Sequence, residues 1–291
     1  MPANVNPEET AVFIQEEIRA FVRQSPLNRM PDSNDDFFFD QPLVQFADGD
    51  DPIFSEYKNI IDPSHFTPRE ALAMACGKKP DDLPARLSVI SWILPITGKT
   101  RESNRTQKDI PSRSWSYTRW HGEKFNEALR ERVVEVITER GYLAAAPLLQ
   151  AYFKHLENES GPISNWSERH VAYAAGLGTF SLSDGFITEL GIAHRCGSVV
   201  TDMPLPVSPR TTKNPYSNCL FYVNKKCRAC IPRCPAGAIT EQGHDKIKCR
   251  SYMNDDIGYL KQEYGVKIFG CGLCQTKVPC EFRNPAGKLK V

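Results

Sequence analysis

The residues best suited to chemistry are cysteines, and eight of the ten lie near the C-terminal end of the chain. These eight are Cys219, Cys227, Cys230, Cys234, Cys249, Cys271, Cys274 and Cys280. The run C-R-A-C-I-P-R-C-P and the pair C-G-L-C have spacings that are typical of metal ligands. A disulfide framework would need export, and the opening MPANVNPEET shows no export signal. Metal binding is therefore the better interpretation.

Iron–sulfur clusters are the metal groups that the run favours. It reproduces most of the bacterial ferredoxin pattern C-x2-C-x2-C-x3-C-P, in which the last cysteine points to a second cluster. Asn224 stands where the pattern has its first cysteine, and Cys219, five residues earlier, can loop back to replace it. By analogy with two-cluster ferredoxins, the eight cysteines divide four and four. One 4Fe–4S cluster takes Cys219, Cys227, Cys230 and Cys280, and the other takes Cys234, Cys249, Cys271 and Cys274.

Zinc is the main alternative, because paired C-x2-C motifs also bind zinc. It gives no reason for the C-P-x-G-A-I continuation, or for eight ligands with crossed spacing. Cys219 is the weakest of the eight ligands, and a three-iron cluster or a non-cysteine fourth ligand stays open. Cys76 and Cys196 stand alone, and we expect them to be small buried apolar side chains.

Charge is unevenly distributed along the chain, although the formal net charge is only +1. From Thr211 onward there are 14 Lys and Arg against 6 Asp and Glu, whereas the preceding part has 22 against 29. A basic segment can bind nucleic acid. It can also offset the negative charge of thiolate-bound clusters, which is the interpretation we favour. The acidic remainder and the lack of an aromatic–basic tract make a nucleic-acid partner unexpected.

The elements that must position the cysteines indicate an α/β (α+β) N-terminal domain over residues 1–207. A C-terminal domain of the bacterial ferredoxin type, holding two 4Fe–4S clusters, follows over 208–291. We predict helices from Asn6–Pro7 onward and over 122–140 and 165–175, with another starting at Pro147, and strands over 87–95 and 197–202. Residues 26–57 and 97–114 are predicted to be irregular. No apolar run approaches the roughly 20 residues that span a bilayer, so we expect a cytoplasmic protein.

Several segments in order resemble the epoxyqueuosine reductase family and its relatives, the reductive dehalogenases. They are SERHVAYAAGLGTFSLSDGFIT (167–188), GSVVTDMPLPV (197–207), CRACIPRCPAGAI (227–239), KCRSYM (248–253) and FGCGLCQTKVPCE (269–281). The resemblance implies a reductase with a cobalamin between its α/β and two-cluster domains. It also implies that Gly176, Leu177, Gly178 and Thr179 help to floor the corrinoid site.

The sequence departs from that family where a proton donor is expected. Pro162 occupies the position of the acidic donor, and residues 161–166 contain no carboxylate. The catalytic residues are therefore unknown. Tyr117, Arg119, Trp120 and His121 could line a pocket, but a packing loop rich in aromatic residues is the favoured interpretation of residues 114–126.

Two functions are favoured by this pattern over a third, a nucleic-acid binding protein whose clusters are structural. The first is a reductase that passes single electrons through two clusters to a bound cofactor, a corrinoid, and a reducible small-molecule substrate. The alternative is a carrier or activator that reduces another protein's corrinoid or metal centre. In either case the expected electron donor is a ferredoxin or flavodoxin. Roughly 210 residues beyond a ferredoxin-sized unit favour the reductase.

Overall fold

The computed structural model describes residues 6–33 and 35–287. Its helices are α1 (Pro7–Gln24), α2 (Ile53–Ile60), α3 (Pro68–Ala75), α4 (Gly98–Arg105), α5 (Arg113–Thr138), α6 (Glu168–Ala174), α7 (Leu220–Asn224), α8 (Lys246–Ser251) and α9 (Leu260–Tyr264). Its strands are β1 (Leu43–Asp48), β2 (Ser88–Pro95), β3 (Ala144–Ala145), β4 (His155–Asn158), β5 (Gly161–Ser164), β6 (Gly178–Phe180), β7 (Phe186–Thr188), β8 (His194–Thr201), β9 (Ile239–Thr240) and β10 (Gly243–His244).

A four-stranded sheet lies at the centre, in the order β1-β2-β8-β3, with every neighbouring pair antiparallel. All eight residues of β2 are buried, which agrees with the strand predicted over 87–95. Ile90, Trp92 and Leu94 join the apolar core that includes α1 and α5, while Val89 and Ile93 join the core that includes α3 and α6. Both faces of the sheet are therefore covered by helices, and β2 alternates between two apolar cores.

Helix α1 forms where its sequence signals predict it. The side chain of Asn6 accepts a hydrogen bond from the Glu8 amide, and Pro7 occupies the first turn. Ile14, Ile18 and Val22 recur at helical spacing and are buried, so this face supplies part of the core.

The prediction of irregular structure over 97–114, and of a loop over 114–126, is wrong. Helix α4 lies within the first stretch, and α5 begins at Arg113, where the Ser112 hydroxyl accepts from the Trp115 amide. The buried residues of α4 are Thr100 and Asn104, which are polar. Because this helix buries polar side chains, it lacks the apolar periodicity that would reveal it in the sequence.

Other boundaries also differ from the sequence-based expectations. The stretch 26–57 contains β1 and most of α2, so it is not irregular throughout. The helix expected at Pro147 is only a 3-10 turn, Pro147–Leu149, and the β4–β5 hairpin follows it. No helix among the described residues is long and apolar enough to cross a membrane.

The C-terminal part packs directly on the sheet layer. Ile257, Leu260, Val266 and Phe269 join the same apolar core as α1 and α5. A smaller apolar cluster lies around the cysteines and contains Leu182, Ile187, Ile192, Phe221, Ile239 and Val278. The division at residue 207 and the ferredoxin-like character of the C-terminal part stay predictions.

Candidate functional site

The eight C-terminal cysteines lie around two cavities, four at each. Cys219, Cys227, Cys230 and Cys280 line the first cysteine cavity, together with apolar side chains such as Phe221. Cys234, Cys249, Cys271 and Cys274 line the second cysteine cavity. The two sets are the ones expected by analogy with two-cluster ferredoxins, and their role as iron ligands remains a prediction.

Burial raises the pKa of four of these thiols, two at each cavity. It raises the pKa of Cys230 and of Cys271 to about 12, and raises the pKa of Cys274 and Cys280 as well, with neighbouring cysteines adding to the effect. A buried thiolate needs positive charge beside it. Each set of four therefore fits a bound group, such as an iron–sulfur core, that carries the positive charge of metal ions.

Single-ion sites are a separate case. Among residues 6–33 and 35–287, no group of three His, Cys, Asp or Glu side chains is arranged to hold one metal ion. Zinc would draw four sulfurs to about 2.3 Å from one centre. The iron, sulfide and zinc contents of the purified protein distinguish zinc from iron–sulfur clusters.

Arg233 holds the two cysteine motifs against helix α4. Its guanidinium donates to the carbonyl of Gln107 at 2.7 Å, of Leu273 at 3.2 Å and of Asn104 at 3.2 Å. Since Leu273 lies within the C-G-L-C pair, one side chain links that pair, the C-I-P-R-C segment and α4. Arg233 also donates to the carbonyl and the hydroxyl of Thr276, and its charge opposes the rise in the pKa of Cys271.

The predicted corrinoid-floor residues, Gly176, Leu177, Gly178 and Thr179, line a cavity of about 410 Å³, the glycine cavity. A Cβ at Gly176, where φ is +78°, would lie 2.6 Å from the Pro209 carbonyl oxygen. A Cβ at Gly178 would lie 2.3 Å from the Ile187 carbonyl oxygen. Contacts with the chain's own backbone are therefore sufficient to require glycine at both positions. Close approach by a macrocycle is not needed to account for them. Their role in binding a corrinoid stays a prediction.

A further cavity of about 310 Å³ lies beside the second cysteine cavity, and we name it the arginine cavity. Its charged lining residues are Glu123, Arg130, Glu168, Arg169 and Arg195. Arg169, Gly185 and Gln275 line both this cavity and the second cysteine cavity, so the two are direct neighbours. Gln275 follows the predicted ligand Cys274 in the chain.

Charged groups behind the arginine cavity form one network. The buried Arg130 bonds the carboxylate of Glu123 at 3.0 Å and that of Glu168 at 3.1 Å, and Arg195 also bonds Glu123. Burial alone would raise the pKa of Glu123, but Arg195, Arg130 and Arg119 lower it to about 2. Burial raises the pKa of Glu168, and Arg130 only partly opposes it. Sequence reasoning missed this network, and its one local signal is the spacing of Glu123 and Arg130, which places them two turns apart on α5.

Cys196 lies in the arginine cavity with its sulfur 3.6 Å from Nδ1 of His194. His194 Nε2 donates to the carbonyl of Phe186 at 2.7 Å, so Nδ1 is the free acceptor of the neutral ring. Burial lowers the pKa of His194 to about 4 and raises that of Cys196 to about 12. Cys196 is thus a neutral thiol at a cavity wall, and Cys76 packs against the core that includes α3. Both side chains are only partly buried, so the expectation of buried side chains is wrong.

The residues Tyr117, Arg119, Trp120 and His121 lie on helix α5. Tyr117 and Trp120 both contact the His121 ring, and Lys124 lies over the ring of Trp120. These aromatic side chains therefore pack against one another, as the packing interpretation expects, but they lie on a helix and not in a loop.

Comparison with known proteins gives a consistent result. No family model matches the chain. The epoxyqueuosine reductase of Aliivibrio fischeri is 30% identical over 156 residues, which is 51% of this chain and 35% of that protein. The epoxyqueuosine reductase of Vibrio cholerae is 35% identical over 128 residues, 42% of this chain and 31% of that protein. The matched region thus spans about a third of the length of these relatives.

Solved structures share the fold of the chain. A selenomethionine-labelled epoxyqueuosine reductase superimposes with a TM-score of 0.53 at 14% identity, covering 95% of this chain and 66% of the other. An epoxyqueuosine reductase solved with a tRNA stem loop gives 0.51 at 16%, with coverage of 95% and 66%. A catabolic reductive dehalogenase bound to 3-bromo-4-hydroxybenzoic acid gives 0.51 at 15%, with coverage of 94% and 37%. The resemblance to the epoxyqueuosine reductases is confirmed, and the reductive dehalogenase shares the fold.

Proposed function

We propose that this relative of the epoxyqueuosine reductases is an iron–sulfur reductase. It passes single electrons through two 4Fe–4S clusters to an acceptor bound next to the second cluster. The observation that carries the proposal is the shared wall between the arginine cavity and the second cysteine cavity, formed by Arg169, Gly185 and Gln275.

This shared wall favours a reductase over a plain electron carrier. A carrier needs clusters that a partner protein can reach, and it needs no internal ligand cavity. Here a cavity of about 310 Å³, within the size range of small-molecule sites, adjoins the predicted ligands of one cluster. An acceptor in that cavity would receive electrons inside the same chain.

The first cysteine cavity is the proposed point of electron entry. Cys227 lies in an exposed basic segment that contains Lys225, Lys226 and Arg228. Acidic electron carriers such as ferredoxins and flavodoxins would be attracted to this surface. Cys230 and Cys234 belong to one short run but line different cavities, so they link the entry cluster to the cluster beside the arginine cavity.

A corrinoid is the additional cofactor that the resemblance implies. Gly176, Leu177, Gly178 and Thr179 would hold it at the glycine cavity, which also contains Arg210. A bound corrinoid would supply a cobalt centre able to accept cluster electrons at low potential. Only the cavity supports this part of the proposal, because contacts within the chain already account for the two glycines.

Anaerobic purification followed by iron, sulfide and zinc analysis tests the proposal. We expect about eight iron and eight sulfide per chain, and a visible absorption that dithionite bleaches. Protein that contains zinc and no sulfide would overturn it. Reduced protein is then mixed with an epoxyqueuosine-containing tRNA stem loop, with a halogenated phenol, or with cobalamin.

Reoxidation of the clusters by a small molecule or by the stem loop identifies the acceptor class and supports a reductase. Reoxidation only by a corrinoid bound to another protein, with no reoxidation by free cobalamin, the stem loop or the phenol, supports the carrier. The sequence made a nucleic-acid partner unexpected, but the related epoxyqueuosine reductase solved with a tRNA stem loop favours a nucleic-acid substrate, so turnover of the stem loop is the first reaction to test.

A further inference from the structure

We propose that Arg233 makes the second cluster, the one at the second cysteine cavity, the stronger electron acceptor of the two, a role that rests on the proposed reductase function. Arg233 directly precedes Cys234, a predicted ligand of that cluster. Its Nε donates to the carbonyl of Leu273 at 3.2 Å, and Leu273 lies between the predicted ligands Cys271 and Cys274. The guanidinium therefore lies beside the segments that carry three of the four predicted ligands.

The positive charge of Arg233 has no carboxylate partner within the described part of the chain. Its hydrogen bonds go to uncharged oxygens, which are the carbonyls of Asn104, Gln107, Leu273 and Thr276 and the Thr276 hydroxyl. Carbonyl dipoles hold a guanidinium in place but do not neutralise its charge. Because the side chain is partly buried, this charge is costly unless a negatively charged group is bound next to it.

An iron–sulfur cluster held by four thiolates is such a group. Its net charge is negative, and reduction by one electron makes the charge more negative. A neighbouring positive charge therefore stabilises the reduced form more than the oxidised form, and the reduction potential rises. The position of Arg233 thus predicts a raised potential for the second cluster.

The two cysteine cavities also differ in the charge of their linings. No charged residue lines the first cysteine cavity within the described part of the chain. The second is lined by Arg169, Lys246, Asp184 and His244, and Arg233 contacts its C-G-L-C turn. The basic residues beside the first cavity are exposed, so water and salt screen their charge more strongly than that of Arg233. We therefore expect the second cluster to have the higher reduction potential.

This difference in potential would direct electrons toward the arginine cavity. A reduced ferredoxin or flavodoxin supplies one electron to the first cluster. That electron then leaves the first cluster, which is oxidised, and enters the second, which is reduced, and no covalent bond forms or breaks. Arg233 stabilises the added negative charge, so the transfer is favourable in this direction.

A redox titration of the anaerobically purified, cluster-loaded chain, followed by electron paramagnetic resonance, tests the proposal. Cys280→Ser, which should keep only the second cluster, assigns the signals. In the unmodified chain the second cluster should be reduced at the higher potential. Arg233→Gln should lower that potential by about 59 mV or more, a tenfold change in a one-electron equilibrium, and leave the first cluster unchanged. Arg233→Lys keeps the charge without the planar fork, so it should keep most of the potential.

Two further variants are controls. Arg228→Gln removes a charge from the same cysteine run, but that side chain is 45% exposed and paired with Glu241. Thr276→Val removes a hydroxyl that accepts from Arg233 and leaves the charge in place. Neither should change the potential of the second cluster, and a shift equal to that of Arg233→Gln in either would overturn the proposal.

Other outcomes would also overturn it. These are a second cluster whose potential is at or below that of the first, an unshifted potential in Arg233→Gln, and loss of the second cluster from both Arg233 variants, which would make the role structural. If only Arg233→Gln loses that cluster, an unchanged potential in Arg233→Lys supports the proposal and a lowered one refutes it. Iron and sulfide are measured on the same samples, and an unmodified chain without clusters refutes the reductase proposal instead.

Discussion

A Cβ atom on Gly272 would lie 2.1 Å from Cε2 of Trp115, so the C-G-L-C turn rests directly on the indole ring of α5. Gly272 also has a φ of +59°, a conformation that other residues adopt only with strain. The long helix thereby fixes the position of Cys271 and Cys274, which line the second cysteine cavity.

Gly272→Ala should therefore remove the second cluster and leave the first. The left-handed conformation costs an alanine about 1–2 kcal/mol, and contact with Trp115 forces the turn to move as well. We expect the iron content to fall to about half. Gly270→Ala is the matched control, since its Cβ would lie 3.8 Å from the nearest atom, a carbon of the Arg119 side chain. Equal iron content in both variants would contradict this account.

Single cysteine substitutions test the crossed assignment. Cys234→Ser and Cys271→Ser should remove the same cluster, and Cys230→Ser and Cys280→Ser should remove the other, although Cys230 and Cys234 are neighbours in sequence. Electron paramagnetic resonance of the dithionite-reduced protein would show one remaining, uncoupled signal in each variant. Cys76→Ser should keep both clusters, and loss of iron there would refute the ligand set.

Glu281 anchors the C-terminal segment to α4 through an ion pair in which the carboxylate is buried and the arginine is partly exposed. Its side chain is 1% exposed, and both carboxylate oxygens lie 2.8 Å from Nε of Arg105. Glu281→Gln removes the charge-assisted bonds and should destabilise the chain by about 1–3 kcal/mol. Under anaerobic conditions the thermal midpoint should fall by several degrees, whereas the exposed Glu135→Gln should change it little. Equal midpoints would show that the pair contributes nothing.

Buried histidine makes stability depend on pH in the mildly acidic range. Burial lowers the pKa of His65 from 6.5 to about 4, and its Nε2 accepts from the Ser167 amide at 3.0 Å. As the pH falls from about 6.5 toward 4, the unfolded chain binds a proton that the folded chain resists, so the free energy of unfolding decreases.

His65→Gln should reduce the pH dependence of the free energy of unfolding by up to about 1.4 kcal/mol per pH unit between about pH 4 and 6.5. Above about pH 6.5 the substitution should not change the slope. Anaerobic urea unfolding at several pH values measures the slope. His155→Gln, at an exposed position, is the control. An unchanged slope in His65→Gln would assign the acid sensitivity to other groups, such as the buried His194.

Local signals in the sequence account for a large part of the fold. The Asn6 cap, the apolar face of α1 and the buried strand β2 are properties of short segments, and the structure contains all three. Helix α4 escaped prediction because its buried face is polar, and only contacts with distant segments make that burial favourable. Asn104, for example, accepts from the Ser112 amide and donates to Thr276.

The sequence by itself indicated which residues can ligate metal, since ligand type and short spacings are local, and analogy with two-cluster ferredoxins supplied the predicted division of the eight cysteines. Tertiary structure alone decided that Glu123 and Arg130 of α5, Glu168 of α6 and Arg195 of β8 meet in one charged network beside the second cysteine cavity. The physical reason is that a buried charge needs compensation from whichever segment packs against it. Periodicity along one segment cannot reveal that partner, so the arginine cavity became visible only once the helices and the sheet were in contact.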